Sequence, residues 1–451
     1  MTDSPLYNAE TITIDSSDAS IGMYVSRLDR PWLETPFVFQ GFTVKDRTEI
    51  ELLQSYCRTV YVDVRRSGLT RLQVKKLLGS SSLRSQSGQA KPRKKKSSGK
   101  WFRRLRNLLL RYGLLRERQA ESEPGVDGYK VTSTMRGEAL KAFAAYKALV
   151  LQHSEVIKFV ERKGSLPEGV LKKAVQPFIE SILRNPDAMA WTIFSRRDNG
   201  RGLGRAVATS AWCVMFGRHL GFDRDGLNDL AVGGLLLDIG LLRVPARILN
   251  IEGELTKQQH SILSEHVEFG LQMLERSGQF SKNIRDMVEH HHERADGTGY
   301  PQGLQGNKVP IYGRIAAIAD CYDAMTTTNA YSPAYGAFDV ARSLHEMRDK
   351  DFAAEVVEQF LCTVGMFPTA SVVELNDGTI GLVLEQNRDN ALRPKVMVLL
   401  NRDHSRLSKP KILEMRDLPV DATHARANWI TKGHEHGAFG IDPKDYFNSG
   451  A

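Results

Sequence analysis

Residues 133–365 carry apolar side chains three or four positions apart, which is the spacing of one helix face. The pattern is clearest in GEALKAFAAYKALVLQHSEVIKFVERKG, GVLKKAVQPFIESILRN, RAVATSAWCVMFGRHLGF and LTKQQHSILSEHVEFGLQMLERS. In the last stretch, Thr256 and Gln259 have the spacing of a capping box at a helix start. The pattern therefore predicts a mainly helical region through the middle of the chain.

Both ends of the chain carry strand patterns. In residues 10–78, SIGMYVSRL, TPFVFQGFTV and TVYVDVRR are strand candidates, and DRTEIELLQSYC is a helix candidate with Asp46 as its N-cap. SVVELNDGTIGLVLEQN, with its NDG turn, predicts a β-hairpin, and PKVMVLL predicts a further strand. The fold class is thus mainly α, with a small N-terminal α/β domain and a short C-terminal β-segment.

Shifts in composition suggest how the chain is divided. Residues 79–100 are rich in Ser, Gly and Lys, and they cannot bury enough apolar surface to order themselves. From about residue 404 the sequence is polar and mixed, and we expect a loosely held tail there. The expected segments are an α/β domain, a basic linker with an amphipathic helix, a helical domain, a β-segment and a polar tail, at residues 1–78, 79–120, 121–370, 371–403 and 404–451.

The net charge of +9 comes from one segment, because residues 91–118 hold twelve Lys or Arg and one acid, Glu117. The rest of the chain is near neutral, which argues against a whole-surface nucleic-acid binder, and no specific nucleic-acid partner is expected. Within the segment, KWFRRLRNLLLRYGLLRER has one apolar stripe on a helix. Such a helix packs on its own protein or makes peripheral contact with an anionic membrane, and both alternatives stay open.

The sequence predicts a cytoplasmic protein, with peripheral contact at the inner membrane through residues 91–118 as the alternative. It has no run of about 18 apolar residues that would span a bilayer, and its N-terminus lacks a secretory pattern. The four cysteines are far apart and suggest neither a disulfide framework nor a metal knuckle; they are Cys57, Cys213, Cys321 and Cys362.

The acids and histidines of the helical region are the candidate chemistry. LLLDIGLL places Asp238 inside an apolar run, where a carboxylate is costly unless it is paired, hydrogen-bonded or bound to a metal. The other candidates are His266, the run His290-His291-His292-Glu293, and Asp320 with Asp323, which share a face of the helix predicted for RIAAIADCYDAM. Imidazole and carboxylate together suit Fe, Mn or Zn. Spacing alone leaves a metal site and a hydrogen-bonded cluster both open.

The stretch HHERADGTGYPQGLQG resembles the signature loop of the HD-GYP family, in which His-His-Glu precedes Asp-Gly-x-Gly-Tyr-Pro. The resemblance continues through VPIYGRIAAIADCYDAMTT and MFPTASVVELNDGTIGLVLEQN, and LLLDIGLLRVPARILN is similar to the stretch with the family's His-Asp pair. It covers about residues 135–400. Residues 10–120 resemble more weakly a small domain that often precedes HD-GYP domains.

The resemblance implies a helical domain that holds two or three metal ions, often iron, and hydrolyses cyclic di-GMP. By this likeness Asp238 is the catalytic residue. The implied metal ligands are Asp238, His266, His291, His292 and Asp320. The implied substrate-binding or interaction loop contains Asp296, Gly297, Gly299, Tyr300 and Pro301.

Several positions depart from the family pattern. The family has His before the Asp and Lys three residues after it, where this chain has Leu237 and Leu241. Further metal-binding positions, a His and in some members a Glu, are Arg205 and Arg201. The family's Arg-Pro-Tyr-Arg/Lys, which clasps phosphates, reads Asn329-Ala330-Tyr331-Ser332.

The remaining set would hold one divalent ion (Fe, Mn or Zn) or none, if Asp238 instead hydrogen-bonds to the histidines. We also expect Arg205 to pair with Asp238 as a substitute for a missing ion.

The departures predict a catalytically impaired HD-GYP protein of cyclic di-GMP signalling that acts by weak nucleotide binding or by protein interaction. The loop would then contact a diguanylate cyclase (GGDEF) domain. The alternatives are an active metal-dependent phosphodiesterase with a reduced metal site, and a sensor that binds the nucleotide without cleaving it.

Overall fold

The computed structural model describes residues 11–29, 42–44, 47–64, 67–69, 73–74, 129–195, 203–251, 253, 255–278, 280–327, 336–387, 393–415, 429–435 and 437–446. The chain divides into two compact units, one of residues 1–97 with 415–429 and the other of residues 98–414 with 430–451. The predicted basic linker and amphipathic helix lie outside the described residues, as do Asp46, Arg201 and residues 329–332.

The first unit contains an antiparallel sheet and one helix. Its elements are β1 (Thr11–Asp15), β2 (Tyr24–Leu28), β3 (Phe42–Thr43), α1 (Arg47–Tyr56) and β4 (Thr59–Asp63), with strand order β1-β4-β2-β3. Val25, Val60, Val62 and Leu53 are fully buried, because the inward positions of the strands and of α1 are apolar. The structure confirms the strands in SIGMYVSRL and TVYVDVRR and the helix in DRTEIELLQSYC, and it adds β1, which the apolar pattern did not predict.

The second unit begins with helices. They are α2 (Met135–Lys163), α3 (Glu168–Ala174), α4 (Gln176–Arg184), α5 (Pro186–Ser195), α6 (Leu203–Leu220), α7 (Arg224–Leu236), α8 (Ala246–Leu249), α9 (Lys257–Ser264), α10 (His266–Ser277), α11 (Lys282–His290), α12 (Ile311–Thr326), α13 (Ala337–Glu346) and α14 (Ala354–Val364). The mainly α prediction is confirmed, and so is the capping box of Thr256 and Gln259 at the start of α9. None of the described helices has the length and apolarity needed to cross a bilayer.

Aromatic packing fixes α12 against α6 and α14. The rings of Trp212 and Tyr322 lie 5.1 Å apart edge to face, and those of Tyr322 and Phe360 lie 5.3 Å apart. All three side chains are almost fully buried, and each stabilises the fold by about 1.5–3 kcal/mol through burial. This core sets the position of Asp320, which lies on α12 two residues before Tyr322.

A five-stranded antiparallel sheet follows the helices. Its strands are β5 (Val372–Leu375), β6 (Ile380–Glu385), β7 (Lys395–Leu400), β8 (Arg406–Glu414) and β9 (Ile430–His434), in the order β8-β7-β6-β5-β9, and a short helix, α15 (Pro443–Tyr446), comes last. The hairpin β5–β6 and strand β7 were predicted. The expectation of a loosely held tail after residue 404 differs from the structure, where β8 and β9 form both edges of the sheet. Most side chains of β8 are exposed, so the strand shows no apolar alternation and is held through its backbone pairing with β7.

Candidate metal centre

Asp238 lies at the junction of α7 and a 3₁₀ turn, Ile239–Arg243. This turn packs against the first turn of α10, and Gly240 makes the approach feasible. A Cβ at position 240 would lie 1.9 Å from the carbonyl oxygen of His266 and 2.6 Å from the amide nitrogen of Gly270. Only glycine therefore allows the contact that brings Asp238 to His266.

His266 and His291 are buried and are oriented by the same device. The Nδ1–H of His266 donates to the carbonyl of Leu263 at 2.8 Å, and the Nδ1–H of His291 donates to the carbonyl of Val288 at 2.9 Å. A carbonyl oxygen only accepts, so each Nδ1 carries the proton and each neutral ring has its free lone pair on Nε2. Metal-binding histidines are commonly oriented in this way.

The two Nε2 atoms converge on one carboxylate oxygen. They lie 3.4 Å from each other, and Asp238 Oδ1 lies 3.6 Å from Nε2 of His266 and 3.9 Å from Nε2 of His291. Two lone pairs that face each other at this distance repel unless a proton or a cation lies between them. Nitrogens that bind a tetrahedral ion at about 2.1 Å are themselves roughly 3.4 Å apart, so this spacing fits a metal ion.

His292 completes a group of four that we call the donor cluster: Asp238, His266, His291 and His292. Each residue offers one ligand atom, and these atoms all lie within 4.8 Å of one another. Burial lowers the pKa of His291, and burial together with the neighbouring histidines holds the pKa of His292 well below its usual range. Both rings are therefore neutral near pH 7, which is the state that binds a metal.

The ring of Tyr300, from the predicted loop, stacks on His292 with centroids 4.6 Å apart and an angle of 23° between the planes. Burial raises the pKa of Tyr300 to about 12, although a hydrogen bond with Ser264 opposes the shift. Tyr300 therefore remains a neutral phenol and forms a wall of the donor cluster. Pro301, the next residue, is exposed.

Three other loop residues shape the backbone. The carboxylate of Asp296 accepts hydrogen bonds from the amide of Thr298 at 2.9 Å and from its hydroxyl at 2.6 Å, which closes a tight turn. Gly297 has a φ of +83°, and a Cβ on Gly299 would lie 2.4 Å from the carbonyl oxygen of His292. Asp296, Gly297 and Gly299 thus build the loop and supply no atom to the donor cluster.

Glu293 anchors the same loop, a role that the sequence pattern did not reveal. Its side chain is buried, and its two oxygens accept hydrogen bonds from the backbone N–H groups of Gln302 at 2.8 Å and Leu304 at 2.9 Å. The available signal was an acid directly after the paired histidines and before a glycine-rich loop, whose free amides need acceptors.

The structure places Asp320, the fifth predicted ligand, in an ion pair outside the donor cluster. The Nη2 of Arg205 donates to Oδ1 of Asp320 at 2.7 Å. The prediction that Arg205 pairs with Asp238 was therefore wrong, because α6 carries Arg205 against Asp320 on α12, whereas Asp238 faces the two histidines. Burial opposes ionisation of Asp320, but Arg205 and His291 hold its pKa below the usual range.

Three other positions considered in the sequence, Asp323, Leu237 and Leu241, lie outside the donor cluster. Asp323 is fully buried and accepts a hydrogen bond from the indole N–H of Trp212 at 3.2 Å, so it faces the core although it lies on the same helix as Asp320. Leu237 is buried in the core and Leu241 is half-buried. Neither leucine offers a lone pair or a charge.

The donor cluster fits one divalent ion. It offers three imidazole nitrogens and a carboxylate oxygen, a set that suits Zn, Fe or Mn. Among the described residues no second group of this kind offers ligands to another ion, and Asp320 is engaged with Arg205.

Three family models match the chain. Residues 192–356 match an HD domain, residues 11–149 match a domain of unknown function (DUF3391), and residues 372–422 match a KOW domain associated with HD domains. The donor cluster lies within the HD match, and β5, β6, β7 and β8 lie within the KOW match.

The curated relatives are bacterial phosphodiesterases. A cyclic di-GMP phosphodiesterase of Pseudomonas aeruginosa is 33% identical over 221 residues, which is 49% of this chain and 53% of that protein. A 3′3′-cGAMP-specific phosphodiesterase of Vibrio cholerae is 35% identical over 127 residues, 28% of this chain and 24% of that protein. A cyclic di-GMP phosphodiesterase of Thermotoga maritima is 34% identical over 144 residues, 32% of this chain and 39% of that protein. The chain thus spans from a quarter to about half of these relatives.

Among solved structures, an HDGYP protein from Bdellovibrio bacteriovorus matches with a TM-score of 0.39 and 15% identity, over 78% of this chain and 98% of that one. The HD match and the relatives agree with the paired histidines, the Asp-Gly-x-Gly-Tyr-Pro loop and the helical domain described above. The HD domain match and these relatives support the resemblance of the helical domain to the HD-GYP family.

Proposed function

We propose that the helical domain binds a cyclic dinucleotide, cyclic di-GMP first of all, at a single-metal site, and that its capacity to hydrolyse the ligand is impaired. The observation that carries the proposal is the donor cluster, in which four ligand atoms converge while Asp320 is held by Arg205. The relatives named as cyclic dinucleotide phosphodiesterases support the ligand class.

The proposed roles follow from the geometry of each side chain. Asp238, His266, His291 and His292 would hold the ion, and Asp238, which is 36% exposed, would also meet the reacting phosphate. A divalent ion bound there would lower the pKa of a bound water and polarise a phosphoryl oxygen. Tyr300 would cover one side of the site, and the loop built on Asp296, Gly297, Gly299 and Pro301 would border the ligand.

Hydrolysis is expected to be impaired because this chain has leucine at two positions where the family pattern has a metal ligand or a cation. Leu237 replaces a ligand of the family pattern, and Leu241 replaces a lysine that would contact a phosphate. A charge-assisted contact is worth roughly 1.5–3 kcal/mol, so the loss of one weakens binding by about 10–150-fold. A single ion also lacks the clamp that two ions place on the attacking and leaving oxygens.

The deciding experiment combines calorimetry with a turnover assay on the untagged full chain. The protein is loaded with Mn²⁺ or Fe²⁺, titrated with cyclic di-GMP and 3′3′-cGAMP, and assayed for the linear product. We expect binding with turnover far below that of an active HD-GYP enzyme assayed in parallel. Absence of binding to either nucleotide would refute the binding function, and turnover equal to the active enzyme would refute the impairment.

An active phosphodiesterase with a reduced metal site is the second candidate, and the complete donor cluster favours it. The two candidates differ in the response to metal. An enzyme forms product at a rate that depends on the ion and saturates with substrate. A binding protein loaded with the ion binds the nucleotide but gives negligible product after prolonged incubation.

Two proposed interactions extend this function. The exposed part of the loop, around Thr298 and Pro301, would dock a diguanylate cyclase domain, and a pull-down with and without Pro301→Ala tests it. The basic segment 91–118, which lies outside the described residues, would contact anionic lipid. Flotation with vesicles rich in phosphatidylglycerol, using the chain with and without that segment, tests this contact, and equal flotation of both forms would refute it.

A further inference from the structure

The Arg205–Asp320 pair differs from an ordinary structural ion pair, and the same chain supplies the standard for comparison. Arg184 on α4 pairs with Glu138 on α2 through two nitrogens, Nη2 to Oε1 at 2.6 Å and Nε to Oε2 at 2.8 Å. Both oxygens of that carboxylate are satisfied, and Ser181 donates a further bond to Oε1. This bidentate pair is closed on itself.

Arg205 pairs with Asp320 through one nitrogen. Its Nη2 holds Oδ1 at 2.7 Å, whereas its Nε is buried without a hydrogen-bond partner among the described residues. The two arginine side chains are equally exposed, at 37% for Arg205 and 36% for Arg184. The difference therefore lies in how many of the five guanidinium N–H donors the carboxylate uses. Because the Nε of Arg205 is buried, the donors that a ligand would reach are the remaining N–H groups on its Nη atoms.

The position of Arg205 makes those donors relevant to the donor cluster. Its guanidinium interacts electrostatically with Asp238 as well as with Asp320. It also acts on His292, whose pKa it helps to lower after burial, the two other histidines and Arg294. Arg205 is thus a fixed positive charge beside the candidate metal centre.

The charge of the site points to the class of ligand. Asp238 and Asp320 are the negative groups there and Arg205 and Arg294 the positive ones, so a divalent ion in the donor cluster would make the site net positive. A phosphodiester carries one negative charge, and a guanidinium with free N–H groups is well suited to phosphate oxygens.

We propose that Arg205 takes the place of a second metal ion: it neutralises Asp320 and presents its remaining N–H groups to a phosphate oxygen of the ligand. The phosphate contact rests on the proposed function, whereas the replacement of the ion does not. The residues at this position do not fit a second ion, because a guanidinium has no lone pair to donate and repels a cation.

Four variants of the full chain test the proposal. Arg205→Gln removes the charge, Arg205→Lys keeps the charge without the fork, and Arg205→His restores a ligating side chain. Arg184→Gln removes a matched arginine from an ion pair that takes no part in the site. If Arg205→Gln fails to fold, Arg205→Lys and Arg205→His still decide the result.

The first measurement is metal content after loading with Mn²⁺ and removal of free metal. We expect no more than one equivalent in the wild type and in Arg184→Gln, and more than one in Arg205→His. Two equivalents in the wild type, or an unchanged content in Arg205→His, would overturn the replacement of the ion.

The second measurement is the affinity for cyclic di-GMP by calorimetry. We expect Arg205→Gln to bind about tenfold or more weakly, because one charge-assisted contact is lost, and Arg205→Lys to recover part of the loss. Arg184→Gln should lower the melting temperature and leave the affinity unchanged. Equal affinities for wild type and Arg205→Gln would overturn the phosphate contact. If the wild type binds no cyclic di-GMP, the proposed function fails and the metal content alone decides the role of Arg205.

Discussion

The donor cluster and the Arg205–Asp320 pair solve the same electrostatic problem in different ways. In the donor cluster, Asp238 and two imidazole lone pairs face one another at 3.4–3.9 Å, which is costly without a cation or a proton between them. In the Arg205–Asp320 pair, the cation belongs to the chain itself and lies 2.7 Å from the carboxylate. The first region requires something from outside the chain, and the second does not.

This difference shows that the two parts of the candidate site are under separate control. A ligand set that depends on an external ion is sensitive to each donor and to the supports behind it. A side-chain ion pair is sensitive only to its two members. The two regions should therefore respond differently to substitution.

The largest effect is expected from His291→Ala. The substitution removes a buried donor whose lone pair points into the donor cluster. Loss of a group that hydrogen-bonds to a metal ligand weakens metal affinity by about 10–100-fold, so loss of the ligand itself should exceed that range. Metal content after dialysis should fall close to zero, whereas His404→Asn, at an exposed turn, should retain the wild-type content. Full retention by His291→Ala would remove the donor cluster from consideration as a metal site.

Acid should destabilise the fold through His153, a buried residue of α2. Burial lowers its pKa to about 4, with partial opposition from the backbone of Leu235 on α7. The folded-state pKa lies below the unfolded value near 6.5, so the stabilisation is fully present above pH 6.5 and is lost as the pH falls toward 4. The loss of unfolding free energy should reach about 3 kcal/mol, because lowering a pKa by one corresponds to about 1.4 kcal/mol.

The measurement is urea denaturation at several pH values between 4 and 7. His153→Gln should flatten the fall in unfolding free energy, because glutamine does not titrate, while His404→Asn should follow the wild type. His153 interacts with the backbone of Leu235 on α7, the helix that leads to Asp238, so the same variant also tests whether the donor cluster depends on this contact. An identical pH slope in His153→Gln and wild type would contradict the assignment.

Glu293→Gln should weaken the loop that carries Tyr300. Glu293 accepts two backbone N–H groups, and an amide would turn one acceptor into a donor that faces a donor. The expected loss of unfolding free energy is about 1.5–3 kcal/mol, measured by chemical denaturation. Glu289→Gln is the matched control, since Glu289 lies nearer the surface and accepts a single side-chain bond from Gln302. Equal stability of the two variants would argue that the loop is held by other contacts.

The smallest change is expected from Leu237→His combined with Arg205→His, although it bears most directly on the comparison. The double variant removes the internal cation and restores two ligating side chains. We expect turnover of cyclic di-GMP to rise about tenfold or more when a second ion is admitted. The imidazole at the buried position 237 should at the same time lower the stability of the fold. The two single variants are the controls. A double variant no faster than either would show that the second site has been lost at more than these two positions.

The residues of the donor cluster could be named from the sequence because each lies in a stretch that resembles the HD-GYP pattern, and their binding of a metal stays a prediction. His291 and His292 directly precede a loop of unusual composition, and Asp238 is a carboxylate inside an apolar run. Each of these signals is contained in a short stretch of the chain. The structure brings together four of the five residues predicted as metal ligands.

The partner of Arg205 illustrates what the sequence does not determine. Asp238 and Asp320 are both distant from Arg205 along the chain, and no local pattern distinguishes them. The choice depends on how α6 packs on α12, which the aromatic contact of Trp212 with Tyr322 fixes. Strand β8 was missed for a related reason, since its stability comes from backbone pairing with β7 and its outward side chains carry no periodic signal.

The close approach at Gly240 makes the donor cluster vulnerable at a position that has no ligand atom. Any side chain there would collide with the peptide group of His266 and push away the turn that carries Asp238. Ligand distances in metal sites lie within about 0.2 Å of their standard values, so a displaced Asp238 would not serve as a ligand. In a saturation-mutagenesis survey, position 240 would therefore show the same intolerance as the histidines, and a phenotype there would report on backbone clearance instead of coordination chemistry.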